Sequence, residues 1–89
     1  MKRIKIKVFA DPGHAWARFP KARLVKLGID KKISSYSYER NGMAFLEEDC
    51  DLYTLINALK GAGYVDIDFD ESHTNKSSKI RSYNHYRHA

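Results

Sequence analysis

The residues best suited to chemistry are Cys50, inside the acidic run Glu47-Glu48-Asp49-Cys50-Asp51, and four scattered histidines, His14, His73, His85 and His88. A thiol with an imidazole is the pairing that makes a nucleophile, but it needs a positioned base and a third group to orient that base. The carboxylates flanking Cys50 oppose its thiolate, and their own presence is accounted for as favourable charge at the start of a following helix. The histidines lack zinc-ligand spacing, and a lone cysteine offers no thiolate pair. His85 and His88 fall in a polar stretch where solvated imidazoles are ordinary. The segment DPGHAW (11–16) has neither the glycines nor the lysine of a phosphate loop. The sequence thus predicts no catalytic residue, no metal site and no cofactor, and a protein that binds rather than catalyses.

Charge gives the binding surfaces their first outline. The net charge of +5 conceals a strong segregation. Residues 1–40 carry eleven Lys/Arg against three Asp/Glu, residues 41–71 carry one against eight, and residues 72–89 carry four against none. Arg18, Lys21, Arg23 and Lys26 form one basic group. Lys76, Lys79, Arg81 and Arg87, interleaved with Tyr83 and Tyr86, form another, and Arg with Tyr suits both nucleic acid and protein hot spots. Tyr36, Tyr38 and Phe45 are a third candidate, a face on which bases could stack or a cluster that faces the core.

These residues must be held by elements that the pattern of the chain foretells. Ile4, Ile6 and Val8 alternate with Arg3, Lys5, Lys7 and Phe9, a half-buried strand. Asp11-Pro12-Gly13 is turn chemistry, so residues 14–19 could return as a hairpin partner. Pro20 suits a helix start, Leu24 and Leu27 share a face, and Gly28 ends that short helix. Asn41-Gly42 is the dipeptide of a type I′ turn, which pairs Arg40 with Met43, Tyr38 with Phe45 and Tyr36 with Glu47. Asp49 or Asp51 is placed to cap a second helix, whose stripe is Leu52, Leu55, Ile56 and Leu59, ending at Gly61 or Gly63. In residues 64–70 Val65, Ile67 and Phe69 alternate with Asp66, Asp68 and Asp70, a strand with an acidic ladder.

The expected fold is α+β, an antiparallel sheet of four to five strands with two helices on one face. Its order is the ferredoxin-like βαββαβ, or ββαββαβ if residues 14–19 form a strand. The ferredoxin-like order sets the first and last strands side by side, with Lys5 and Lys7 against the aspartates. At 89 residues one core is affordable, giving a single domain over 1–75 and a basic tail or edge strand over 76–89. One cysteine excludes a disulfide scaffold, and the lack of any apolar run of about 18 residues argues against a membrane span. A cytoplasmic location follows as the expectation, and homodimerisation stays open.

With that order, the chain resembles RNA-recognition-motif domains. Residues 41–48 occupy the place of their aromatic octet, keeping Gly42, Ala44, Phe45 and Leu46 while lacking its basic first residue and outer aromatics. Lys5 stands where that family sets its second stacking ring. The segments VFADPGHAW, SYSYERNG, LEEDCD and IRSYNHY are also similar to small accessory proteins of bacteriophages and mobile elements. That resemblance implies a cytoplasmic protein that blocks or adapts a host or defence complex, as anti-CRISPR proteins do, and it transfers no site residues. The expected partner is such a complex, or alternatively RNA or DNA bound directly.

Overall fold

A computed structural model describes residues 2–89. Strand β1 (Lys2–Ala10) turns through Asp11–His14 into β2 (Ala15–Pro20), which leads straight into helix α1 (Lys21–Lys26). A short hairpin, β3 (Tyr38–Arg40) and β4 (Met43–Glu47), precedes helix α2 (Leu52–Gly61), the long strand β5 (Tyr64–His73) and the two-residue β6 (Asn84–His85). The strands form one sheet in the order β5-β1-β2-β4-β3-β6. All neighbours are antiparallel except β1 and β5, which run parallel.

The α+β class is as expected, and the sheet is not. It has six strands rather than four or five and is mixed rather than antiparallel; along the chain the elements follow the ββαββαβ alternative with β6 added, and β2 sits between β1 and β4, outside the βαββαβ order. Residues 15–20 are a full strand because alternate residues meet different cores. Ala15, Ala17 and Phe19 pack under the helices with Ile6, Val8, Leu24, Leu55 and Leu59, whereas Trp16 faces the opposite side with Phe45 and Ile80. A strand buried on both faces shows weak alternation of apolar and polar residues, so AWARF reads ambiguously.

Local chemistry sets the turns. Asn41 and Gly42 both take positive φ, 52° and 78°, as a type I′ turn requires. Arg40 faces Met43 and Tyr38 faces Phe45, as the turn dictates. The expected third pair fails: Glu47 lies opposite Trp16 of β2, and Tyr36 stands 70% exposed. The cause is Ser37, whose hydroxyl accepts the Glu47 N–H at 3.0 Å and donates to Asp51, so a side chain replaces the ladder and β3 stops.

Asp51 occupies the N-cap position of α2 but makes no capping bond there. Its carboxylate accepts instead from the Ser34 N–H (3.1 Å), the Ser34 hydroxyl (2.7 Å) and the Ser37 hydroxyl. The expected cap is thus a buried tie between the loop before β3 and the start of α2. Leu55 and Leu59 bury fully, with Leu52 and Ala58 packed beside them.

The sheet face opposite the helices is covered by the chain's own C-terminal segment. Ile80 packs on Trp16 and Phe45, with Phe9, Tyr38, Met43 and Tyr83 around them. The Tyr83 ring lies 5.2 Å from that of Phe45. Residues 79–82 make a 3-10 turn and β6 joins the sheet edge beside β3, so 76–89 is part of the fold.

Candidate functional site

The four segments VFADPGHAW, SYSYERNG, LEEDCD and IRSYNHY, distant in sequence, converge on one open pocket of about 290 Å³. The first contributes His14 and Trp16, the second Tyr36 and Tyr38, the third Glu47, Asp49 and Cys50, and the last Arg81. Trp16 is the floor, with the Arg81 guanidinium over its ring at 5.2 Å and Tyr38 edge-on at 6.2 Å. Its indole N–H is buried without a hydrogen-bond partner among the described residues.

Asp11 builds one wall. One carboxylate oxygen accepts the N–H groups of Gly13 (3.0 Å) and His14 (2.9 Å), an Asx turn that aims the His14 side chain. The other accepts from the Ser78 N–H at 2.9 Å, and Arg81 clamps both oxygens at 2.7 and 3.0 Å. The Arg81 fork, followed by the backbone donors, holds the Asp11 carboxyl far below the usual carboxylate range.

The opposite wall is acidic. Glu47, buried at the end of β4, accepts the Asp49 N–H at 2.8 Å and meets His14 Nδ1 at 3.1 Å. One donor atom from each of His14, Glu47 and Asp49 lies within 4.8 Å of the others. Burial pushes the Cys50 thiol up, and Glu47, Asp51 and Asp49 push it further. A thiol held protonated in this way is a poor nucleophile at neutral pH, and two of the carboxylates that hold it, Glu47 and Asp51, are tied into structure.

The basic positions expected to bind partners are dispersed. Arg18 is exposed beside the Phe9 ring at 5.6 Å, and Lys26, Lys76, Lys79 and Arg87 are also exposed. Lys21 is paired with Glu39 at 3.0 Å, and Arg23 donates to the Tyr64 hydroxyl at 2.9 Å. Arg81 is committed to Asp11, and Tyr86 is a core residue whose hydroxyl donates to buried Asp30. The stacking face is closed as well. Phe45 is buried under Ile80 and Tyr83, Tyr38 stacks on His85 at 4.9 Å, and only Tyr36 is largely exposed. Arg18, Lys21, Arg23 and Arg81 each found an acid, a hydroxyl or a ring within the fold, which draws them away from the exposed Lys26, Lys76, Lys79 and Arg87.

The buried ties predict a pH dependence. For Asp30 and Glu39 burial works against the charged form, yet the Tyr86 hydroxyl and Ala89 N–H at Asp30, and the Arg87 N–H and Lys21 at Glu39, hold both carboxyls below their usual values. With Asp11 they favour folding when ionised, so their contribution is complete above the unfolded-state values near pH 4 and is lost as pH falls through the lowered folded ones. Urea midpoints are expected to be level near neutrality and to fall below about pH 4, with a shallower fall in Asp11→Asn. A midpoint that rises on acidification would contradict this arrangement.

At the far edge of the sheet, β5 pairs among the described residues with β1 alone, leaving its outer edge open over ten residues. In register, Arg3 meets Asp66, Lys5 meets Asp68 and Lys7 meets Asp70, with Arg3 Nε 3.1 Å from Asp66. Val65 and Phe69 remain 59% and 46% exposed. No family model, curated protein or solved structure matches the chain.

Proposed function

We propose that the protein is a non-catalytic accessory protein that docks on a partner protein, of the host or defence kind implied by its resemblance to phage proteins, through the open edge of β5. The observation that carries this reading is the edge itself, the longest strand in the chain, exposed along nearly its whole length. An unpaired strand offers a row of N–H and C=O groups to an incoming strand, and its side chains select which strand enters. Here the selection is for alternating basic and apolar residues. The pattern that satisfies it is already present on the inner side, where Ile4 and Ile6 lie beside Ile67 and Phe69, and Lys5 and Lys7 beside Asp68 and Asp70. A second copy of β5 would bring aspartates against aspartates, which cross-strand pairing penalises.

The test is affinity capture from host extract with and without nuclease, using the wild-type chain and Asp66→Asn/Asp68→Asn/Asp70→Asn. The expected result is a nuclease-resistant protein partner whose capture weakens at least tenfold in the triple variant, while circular dichroism is unchanged. Equal capture by both chains would sink the edge-docking reading.

A second reading, direct binding of RNA or DNA, draws on a groove of about 240 Å³ in which Arg18 and Lys79 flank Phe9, Phe45 and Tyr83. Two exposed cations beside rings suit a single strand. Under that reading nuclease would abolish capture and affinity would fall steeply with salt.

A further inference from the structure

We propose that His14, Glu47 and Asp49 form a binding site for a divalent transition-metal ion, with Zn²⁺ the best match. The donor set is one imidazole nitrogen and two carboxylates, the mixture that borderline cations such as Zn²⁺ and Co²⁺ accept. Three protein ligands facing an open pocket leave a coordination position for water or for a group from a partner.

The site is held from both sides before any ion arrives. His14 is carried on the Asx turn of Asp11, which Arg81 and Ser78 fix from the C-terminal segment. Glu47 is buried at a strand end and tied to the Asp49 backbone by its own carboxylate. The ligands therefore come from the β1–β2 turn and from the end of β4 with the connection that follows it, which an ion would staple together. Tetrahedral ligands about 2.0–2.2 Å from zinc lie roughly 3.2–3.6 Å from one another. His14 Nδ1 and Glu47 Oε1, at 3.1 Å, stand just short of that spacing and need only a slight opening to reach it. The limit of 4.8 Å for the set leaves about an ångström to close, and exposed Asp49 has the freedom to close it.

Charge supports the same occupant. Arg81 is the cation that lines the pocket, and it is consumed by Asp11, so Glu47 and Asp49 keep only His14 opposite them. An ion would replace that one hydrogen bond with coordination to all three. This site is independent of the β5 edge, which lies across the sheet.

The experiment is calorimetric titration of the full-length protein with ZnCl₂ near neutral pH, alongside CoCl₂ followed by visible absorption. One ion per chain is expected, with a thermal shift on Zn²⁺ addition. His14→Ala and Asp49→Asn, both at exposed positions, should each weaken binding at least about tenfold and remove the thermal shift. His85→Ala/His88→Ala should bind as the wild type does, which separates this site from adventitious capture by the C-terminal histidines. Circular dichroism of each variant shows whether it is folded. Absence of binding, or binding that survives His14→Ala and Asp49→Asn but is lost in the His85/His88 variant, overturns the proposal.

Discussion

Removing residues 76–89 is expected to unfold the protein rather than trim it. The segment supplies Ile80 and Tyr86 to the two cores, the Tyr86 hydroxyl to Asp30 and the Arg81 fork to Asp11. Truncating one buried Ile costs about 2–5 kcal/mol. Small domains hold only about 5–15 kcal/mol in total, and this loss adds a buried aromatic, two buried carboxylates without their donors, and exposed Trp16 and Phe45. The deletion should therefore abolish the cooperative urea transition, with Ile80→Ala alone shifting the midpoint in the same direction. A truncated chain that melts like the full one would show that the segment is an appendage.

The second large effect is expected at Asp51. Its carboxylate is the common acceptor for the Ser34 N–H and the hydroxyls of Ser34 and Ser37, and Ser37 is fully buried. Asp51→Ala leaves those donors facing no acceptor, at about 1–3 kcal/mol for each buried one. A total of about 3 kcal/mol is expected from urea unfolding, with Asp51→Asn milder because one amide oxygen remains. The loss should be accompanied by loosening of the Tyr36 loop, since Ser37 also receives the Glu47 N–H that ends β3. A loss under about 0.5 kcal/mol, the size of an ordinary cap at its weakest, would return Asp51 to the role of a helix cap.

That comparison shows what could be read from residues and what could not. The type I′ turn, the β1 alternation and the stripe of α2 depend on near neighbours or on a period, and all were legible; the juxtaposition of Lys5 and Lys7 with the aspartates joins strands more than sixty positions apart and followed from the complementary charges and the expected neighbouring of the first and last strands. The strand at 15–20 was obscured because Trp16 is buried on the face where a solvated residue would normally stand, and only the C-terminal segment makes that burial possible. Asp11 announced itself as a turn residue, and its Asx bonds to Gly13 and His14 could have been inferred from DPGH alone. Its second oxygen reaches Arg81, seventy positions away, and no local signal carries that pairing.

The candidate site divides in the same way. The basic residues were visible as a composition, but their partners, Glu39 for Lys21, Tyr64 for Arg23 and Asp11 for Arg81, depend on tertiary placement. The pocket that gathers His14, Trp16, Glu47, Asp49 and Arg81 was invisible for the reason that makes it a site, since its walls come from four separated segments. The acids of residues 47–51 read as helix-terminal charge. In the fold Glu47 faces the β1–β2 turn and Asp51 faces two serines, so neither acts primarily through the dipole of α2.

At the proposed docking edge sequence and fold agree on a strand, which runs on to His73 and pairs parallel with β1. The alternation of Val65, Ile67 and Phe69 with the aspartates describes a strand, and the sheet order leaves that strand with one side unpaired. Its acids match the basic residues of β1, and under the proposal the same acids would discourage strands that lack basic residues.

Hydrogen exchange measured on the captured complex and on the free protein tests that claim most directly. Docking through the edge predicts slowed exchange of backbone amides within residues 65–71, with α1 and residues 76–79 unchanged. Slowed exchange confined to α1 and residues 76–79, with β5 exchanging as in the free protein, would contradict it.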